Sequence, residues 1–224
     1  MPAKSPRSQL LEQFANVAKA LGHPHRLDLL EYLGQGERSV DALAKLVGQS
    51  VANTSQHLQY LRRAGLVTSE KRGLYVFYDI AGGDVVDLYT ALRTTTERHT
   101  AEIDKIVSGY FNERDGLEAL SRNELLTRTK EGLVTLLDVR PTDEYEAGHL
   151  PDAVNMQLPE LEKRLGELPK NLEVIAYCRG PYCFLAFEAV AELRKKGYKV
   201  RRLEDGYPEW KAAGLPVETG PGGN

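Results

Sequence analysis

The sequence places its two cysteines, Cys178 and Cys183, in one short loop that reads Cys-Arg-Gly-Pro-Tyr-Cys. The apolar run 174–177 predicts a buried strand before the loop, and residues 184–196 have the spacing of a helix after it. A helix amino terminus favours an anion, so we expect the pKa of Cys178 to lie below its free value of about 8.5. The adjacent Arg179 is expected to act in the same direction. This pattern predicts a nucleophilic thiolate; the alternative is a pair of structural cysteines, although cores favour cysteine among apolar neighbours.

Composition indicates an ordinary globular protein of two domains. The chain has 224 residues, 42% hydrophobic and 27% charged, with a net charge of -3. No apolar stretch approaches the roughly 18 to 20 residues of a membrane span, and the amino terminus lacks the hydrophobic region of a secretory signal. We therefore expect a cytoplasmic protein without membrane contact, in which two cysteines are more plausibly reactive than structural. The slight negative charge argues only weakly against nucleic acid.

The amino-terminal half predicts a winged helix-turn-helix. Helical spacing begins at Leu10 and again near Pro24, and Ser39 and Ser50 are suited to cap two short helices joined by a tight turn. After the second of these helices, 51–64, the sequence predicts a β-hairpin with a basic tip, 66–78. The residues predicted to contact DNA are Asn53, Thr54, Ser55, Gln56, His57, Gln59, Arg62 and Arg63 on the helix, and Lys71 and Arg72 on the hairpin. Asn and Gln suit base edges and Arg suits phosphates, whereas the alternative is a solvated helix beside an ordinary exposed hairpin.

The segments 20–27 (Ala-Leu-Gly-His-Pro-His-Arg-Leu), 53–58 (Asn-Thr-Ser-Gln-His-Leu) and 61–67 (Leu-Arg-Arg-Ala-Gly-Leu-Val) resemble the ArsR/SmtB repressors across about residues 8–95. The resemblance implies a homodimer that grips double-stranded operator DNA and releases it when an inducer acts. Metal-sensing members carry a cysteine pair that segment 38–43 lacks. His99 and Glu102 keep part of a second metal site of the family, but two ligands do not make a zinc site. We therefore predict no metal and no cofactor.

Residues 84–111 predict one long helix with two apolar stripes, one at Val85, Leu88 and Leu92 and the other near Ile103 and Tyr110. A dimer interface is the favoured interpretation, and docking against the second domain is the alternative. The polar stretch 112–116 marks the expected boundary, which gives an ArsR-type domain at 1–112 and a second domain at 113–224.

The carboxyl-terminal half alternates helix and strand patterns after a helix capped by Ser121 and Glu124, which predicts an α/β domain with a mostly parallel central sheet. The cysteine loop is expected at the carboxyl end of a central strand, where such sheets place ligands.

The segments 137–140 (Leu-Asp-Val-Arg), 148–153 (Gly-His-Leu-Pro-Asp-Ala) and Gly206 with Trp210 resemble the rhodanese domain over about residues 117–219. The resemblance implies that Cys178 takes a sulfane sulfur from thiosulfate or polysulfide and holds it as a persulfide. The loop residues Arg179, Gly180 and Tyr182 would form the cradle of N–H groups that stabilises this anion.

The loop also departs from the family pattern. Gly180 is third, Pro181 fourth and Cys183 sixth, so substrate preference does not transfer, and Phe184 stands where related phosphatases need Arg. Cys183 is a possible resolving thiol that attacks the persulfide; the alternative is that it only packs at the helix start.

Two functions from different classes follow. The leading hypothesis is a transcriptional repressor that senses reactive sulfur or redox state through Cys178. The rival is a rhodanese-type sulfurtransferase with DNA binding as a separate, autoregulatory property. A third interpretation, an adaptor with an inert rhodanese-like domain, is disfavoured by the intact Cys178.

Overall fold

The computed structural model describes residues 5–106 and 119–221. Packing divides the chain into two compact units, Met1–Val85 and Val86–Asn224. Among the described residues, none of the helices is both long enough and apolar enough to cross a membrane. The expected domain boundary at 112–116 lies outside the described residues, so it stays a prediction.

The first unit is a winged helix-turn-helix, as predicted. Its elements are α1 (Pro6–Leu21), α2 (Pro24–Gly34), β1 (Arg38–Ser39), α3 (Val40–Leu46), α4 (Val51–Arg63), β2 (Val67–Arg72) and β3 (Tyr75–Ile80). Ser39 and Ser50 cap α3 and α4 by accepting hydrogen bonds from Ala42 and Asn53, which confirms both predicted caps. The strands form an antiparallel sheet in the order β1-β3-β2, and β2 with β3 makes the wing.

The core of this unit is built from one apolar side of each helix. Leu29 and Leu33 of α2, Leu43 of α3, and Leu58 and Leu61 of α4 are all 1% exposed or less. Because these residues are spaced at three or four positions within α2 and α4, the opposite side of α4 is left to solvent.

The long helix predicted at 84–111 is interrupted. The structure has α5 (Gly83–His99) and α6 (Ala101–Ile106), divided at Thr100. Apolar spacing alone does not register such a local break, which is why the sequence predicted continuity. The predicted interface residue Tyr110 lies outside the described residues.

The second unit contains a parallel sheet flanked by helices, which confirms the predicted α/β class. After α5 and α6 come α7 (Arg122–Lys130), β4 (Val134–Asp138), α8 (Thr142–Ala147), β5 (Val154–Asn155), α9 (Leu158–Arg164) with a 3-10 turn (Leu165–Glu167), β6 (Glu173–Tyr177), α10 (Phe184–Lys195), β7 (Val200–Arg202) and α11 (Tyr207–Ala212). The strand order is β5-β4-β6-β7, and all three pairings are parallel.

Strand β6 is buried on both sides, as expected for an interior strand of a parallel sheet. Val174 and Ala176 join one apolar cluster, whereas Ile175 and Tyr177 join the cluster on the opposite side of the sheet. The two-residue alternation of a strand produces this division. Packing on both sides fixes the end of β6, from which the cysteine loop departs.

Candidate functional site

The cysteine loop connects β6 to α10 at the carboxyl end of an interior strand, as predicted. Tyr177 ends β6, and Cys183 is the N-cap of α10. The site therefore combines two sequence-predicted features, the carboxyl end of a parallel strand and the amino terminus of a twelve-residue helix.

The two cysteines are joined by a disulfide bond, and their Cα atoms are 6.0 Å apart. Cys178 is 1% exposed and Cys183 is 9% exposed. Neither residue has a free thiol in this state, so the lowered pKa expected for Cys178 concerns the reduced protein and stays a prediction. The observed bridge shows that the loop can bring the two sulfurs into bonding contact.

Arg179 turns to a carboxylate. Its guanidinium donates to Glu144 through Nε at 2.9 Å and through Nη2 at 2.7 Å. Glu144 is only 1% exposed. Because the charge of Arg179 is balanced in this way, its expected effect on the Cys178 thiol is weaker than the sequence suggested.

Backbone contacts hold the loop from the side of α11. The N–H of Tyr207 donates to the carbonyl of Cys178 at 3.0 Å. A Cβ added to Gly206 would lie 2.3 to 2.4 Å from the peptide between Arg179 and Gly180, so this close approach requires glycine. Within the loop, the N–H of Cys183 donates to the carbonyl of Gly180 at 3.1 Å and is thereby engaged in a turn.

Glu209 supports the same contact. Its Oε2 accepts the N–H of Gly206 at 3.1 Å, and the side chain is 7% exposed. Neither Glu209 nor Glu144 was assigned a role at the cysteine loop from the sequence. Glu209 follows Gly206 by three residues, the spacing of a capping box, and this signal was available. Glu144 is 35 positions from Arg179 and left no local signal.

The residues predicted to contact DNA are mostly exposed or half-buried on α4, with one exception. Gln56, Gln59, Arg62 and Arg63 are exposed, whereas Asn53, Ser55 and His57 are half-buried. Thr54 is fully buried, which argues against its predicted contact with DNA. The helical turn that places Leu58 and Leu61 inward also places Thr54 inward, since it is four residues before Leu58.

His57 belongs to a cluster of three imidazoles. Its ring centroid lies 4.5 Å from that of His23 and 5.8 Å from that of His25. Partial burial, then the neighbouring His23 and Arg26, lower the pKa of His57. His57 is therefore neutral near pH 7 and offers a polar group rather than a charge. Within residues 5–106 and 119–221, no three His, Cys, Asp or Glu side chains form a group that could hold a metal ion.

The two basic side chains of the wing, Lys71 and Arg72, are both exposed, but only Arg72 is paired with carboxylates in the contacts described. Arg72 pairs with Glu70 and with Glu37, whose Oε1 is 2.9 Å from Nη2. Hydrogen bonds to these two carboxylates raise the pKa of Arg72 further above its ordinary value. We therefore expect Arg72 to attract a DNA phosphate less strongly than its position in the wing suggested.

Comparison with known proteins supports the domain class of each half of the chain. A helix-turn-helix domain model matches residues 21–70, and a rhodanese-like domain model matches residues 121–213. The HTH-type transcriptional regulator Rv0324 of Mycobacterium tuberculosis is 42% identical over 214 residues, which cover 96% of this chain and 94% of the relative. A sulfurtransferase of Allochromatium vinosum is 31% identical over 102 residues, covering 45% of this chain and 92% of that protein. A solved homodimeric winged helix-turn-helix DNA-binding domain from Mycobacterium bovis, a possible ArsR-family regulator, is 39% identical and covers 45% of this chain and 94% of that one, with a TM-score of 0.40.

A winged helix-turn-helix unit followed by a rhodanese-like unit defines a class of two-domain transcriptional regulators. The chain belongs to the family of HTH-type transcriptional regulators that carry a carboxyl-terminal rhodanese-like domain.

Proposed function

We propose that this regulator is a homodimeric repressor that senses reactive sulfur through Cys178 and changes its affinity for operator DNA in response. One observation supports this proposal above others: the two cysteines are bonded to each other in the loop where a rhodanese-like domain would bind its substrate. Because its ligand would be DNA and its resting state a dithiol, we place the protein in the cytoplasm.

The proposed reaction needs a sulfane-sulfur donor, written R–S–SH for a persulfide or polysulfide. The thiolate of Cys178 attacks the outer sulfur, so that a Cys178 persulfide forms and R–S⁻ leaves. The thiolate of Cys183 then attacks Sγ of Cys178, so that the disulfide forms and HS⁻ leaves. The two thiol protons end on the leaving groups, which are released as the thiol RSH and as hydrogen sulfide. The two cysteine sulfurs are oxidised and the sulfane sulfur is reduced.

The distance between the cysteines favours this sequence of steps. A Cα separation of 6.0 Å lies within the range that a disulfide spans without backbone movement. Cys178 is more deeply buried than Cys183, and a persulfide on Cys178 would have the thiol of Cys183 as a near neighbour. A second turnover would require a reductant to reopen the bridge, which suits a switch better than a transferase.

DNA binding by the reduced and the polysulfide-treated protein tests the proposal. The probe is a duplex selected from a random-sequence pool by this protein, and the sulfur state is verified by intact mass. We expect the Kd of wild type to differ at least about fivefold between the two states. Cys178→Ser should show no difference. Cys183→Ser should gain about 32 Da, one sulfur atom, and form no internal bridge. An unchanged Kd for wild type would exclude the sensor.

A sulfurtransferase is the second candidate, and the 31% identity of 102 residues of this chain to a sulfurtransferase of Allochromatium vinosum favours it. Steady-state assays with thiosulfate and cyanide separate the two functions. A transferase forms thiocyanate over many turnovers, whereas a sensor stops after about one equivalent of sulfur per chain. Cys183→Ser should turn over faster than wild type if bridging competes with transfer.

A further inference from the structure

The cysteine loop is hydrogen-bonded to helix α5 within the second unit. Tyr182, one residue before Cys183, shares a hydrogen bond with the carboxylate of Glu97 on α5. Burial first, and then this carboxylate, raise the pKa of Tyr182 to about 12. The phenol therefore keeps its proton at physiological pH and donates a hydrogen bond to the carboxylate of Glu97.

A second contact joins α5 to the support of the loop. Arg93 of α5 donates from Nη1 to Oε1 of Glu209 at 2.8 Å, while the other oxygen of Glu209 holds Gly206 beneath the loop. The side chains of Arg93 and Glu209 are 17% and 7% exposed, so water competes weakly for this pair.

Arg93 also connects the two contacts to each other. Its Nε lies 3.5 Å from Glu97, one helical turn further along α5. Tyr182, Glu97, Arg93 and Glu209 thus form a continuous polar chain from the cysteine loop to α5 and back to Gly206, which we call the loop–helix network. At its other end α5 begins at Gly83, and Val85 packs in the apolar core of the winged unit.

We propose that the loop–helix network transmits the covalent state of the cysteine pair to α5, so that Glu97 and Arg93 are positioning residues for the switch. This inference rests on the proposed sulfur-sensing function. A disulfide closes residues 178–183 into a ring and fixes Tyr182 beside Cys183. A persulfide on Cys178 adds an atom at a position that is 1% exposed, and reduction frees Cys183 from its partner. Each change displaces the loop segment that carries Tyr182. Because Tyr182 is hydrogen-bonded to Glu97, α5 is displaced with it.

The variant Glu97→Ala tests the network, because it removes the acceptor of Tyr182 and leaves the loop sequence intact. Glu102→Ala is the matched control, since Glu102 is an exposed glutamate of α6 that pairs only locally with Lys105 among the contacts described. Full-length proteins are compared in the reduced and the polysulfide-treated states, with bridging verified by mass and folding by thermal unfolding.

We expect wild type and Glu102→Ala to keep the same ratio of Kd values between the two states, and Glu97→Ala to bridge normally with a ratio close to one. Amide hydrogen exchange gives a second readout: protection over residues 86–99 should differ between the two states of wild type and not of Glu97→Ala. If Glu97→Ala keeps the wild-type ratio and exchange pattern, the network is not the route and the sensor stands. If the Kd of wild type is the same in the two states, both the sulfur-sensing function and the loop–helix network are overturned.

Discussion

The ion pair between Arg179 and Glu144 joins the cysteine loop to helix α8. Two of its three hydrogen bonds are shorter than 3.0 Å, and Glu144 is almost completely buried. Removing one member of such a pair leaves the other buried without a partner, which costs more than the pair itself contributes. The arrangement stabilises the loop only while both charges are present.

Glu144→Gln is therefore expected to lower the free energy of unfolding of the rhodanese-like unit by about 3 kcal/mol. Urea unfolding followed by the fluorescence of Trp210 measures this effect, because Trp210 is the chain's single tryptophan and is buried in that unit. Glu146→Gln is the control, since Glu146 is exposed on the same helix. Equal unfolding curves for the two variants would show that the pair does not hold the loop.

The positions of the two cysteines were easier to predict from the sequence than the residues that surround them. Cys178 and Cys183 could be placed at a strand–helix junction because residues 174–177 and 184–196 have clear apolar patterns. The partner of Arg179 could not be predicted, since Glu144 reaches it only after the sheet brings α8 beside β6. Thr54 was misplaced for a related reason: its polar side chain suggested exposure, but the turn of α4 directs it inward.

Helix α4 and the wing carry the residues predicted to make two kinds of DNA contact, with phosphates and with base edges. Arg62 is exposed and donates to Ser69 at 3.0 Å, a neutral partner that leaves its charge available to a phosphate. Arg72 is paired with two carboxylates, so its charge is largely balanced before DNA arrives. Gln56 is exposed on the same helix as Arg62 and suits a base edge.

Arg62→Gln is expected to weaken binding to every DNA sequence and to reduce the slope of log K against log salt by about one. Gln56→Ala should instead reduce the difference in binding free energy between selected and random duplexes by about 1 to 3 kcal/mol. It should leave the slope of log K against log salt unchanged. Arg72→Gln should lower affinity less than Arg62→Gln. Salt titrations on both duplexes measure all three; identical losses for the three variants would contradict these roles.

Capping residues helped to predict three of the described helices, α3, α4 and α7. Ser39, Ser50 and Ser121 each cap a helix by accepting a backbone hydrogen bond. The reciprocal half of the Ser121 box is different, because Glu124 turns to Arg128 and Arg201. The two-residue strands β1 and β5 were not predicted, since a segment so short has no period to detect.

Helices α1 and α5 leave apolar side chains exposed to solvent, and these are candidates for the interface of the predicted homodimer. Leu10, Leu11 and Phe14 of α1 are 51 to 66% exposed, and Leu88 and Leu92 of α5 are 37 to 38% exposed. Exposed apolar residues that recur along a helix favour contact with another protein surface. The predicted homodimer would cover such residues, and two recognition helices would then read half-sites about one DNA turn apart.

Leu88→Glu is expected to convert the predicted dimer to a monomer, because it would place two carboxylates, one from each copy, in the proposed interface away from water. Sedimentation velocity measures the change, and the affinity for a palindromic duplex should fall together with the sedimentation coefficient, whereas affinity for a single half-site should change little. Leu133→Glu makes the same substitution at a leucine that is 50% exposed outside α1 and α5, and it should leave both quantities unchanged. A Leu88→Glu protein that remains dimeric would exclude this face of α5 from the interface, and a wild-type protein that sediments as a monomer would exclude the homodimer.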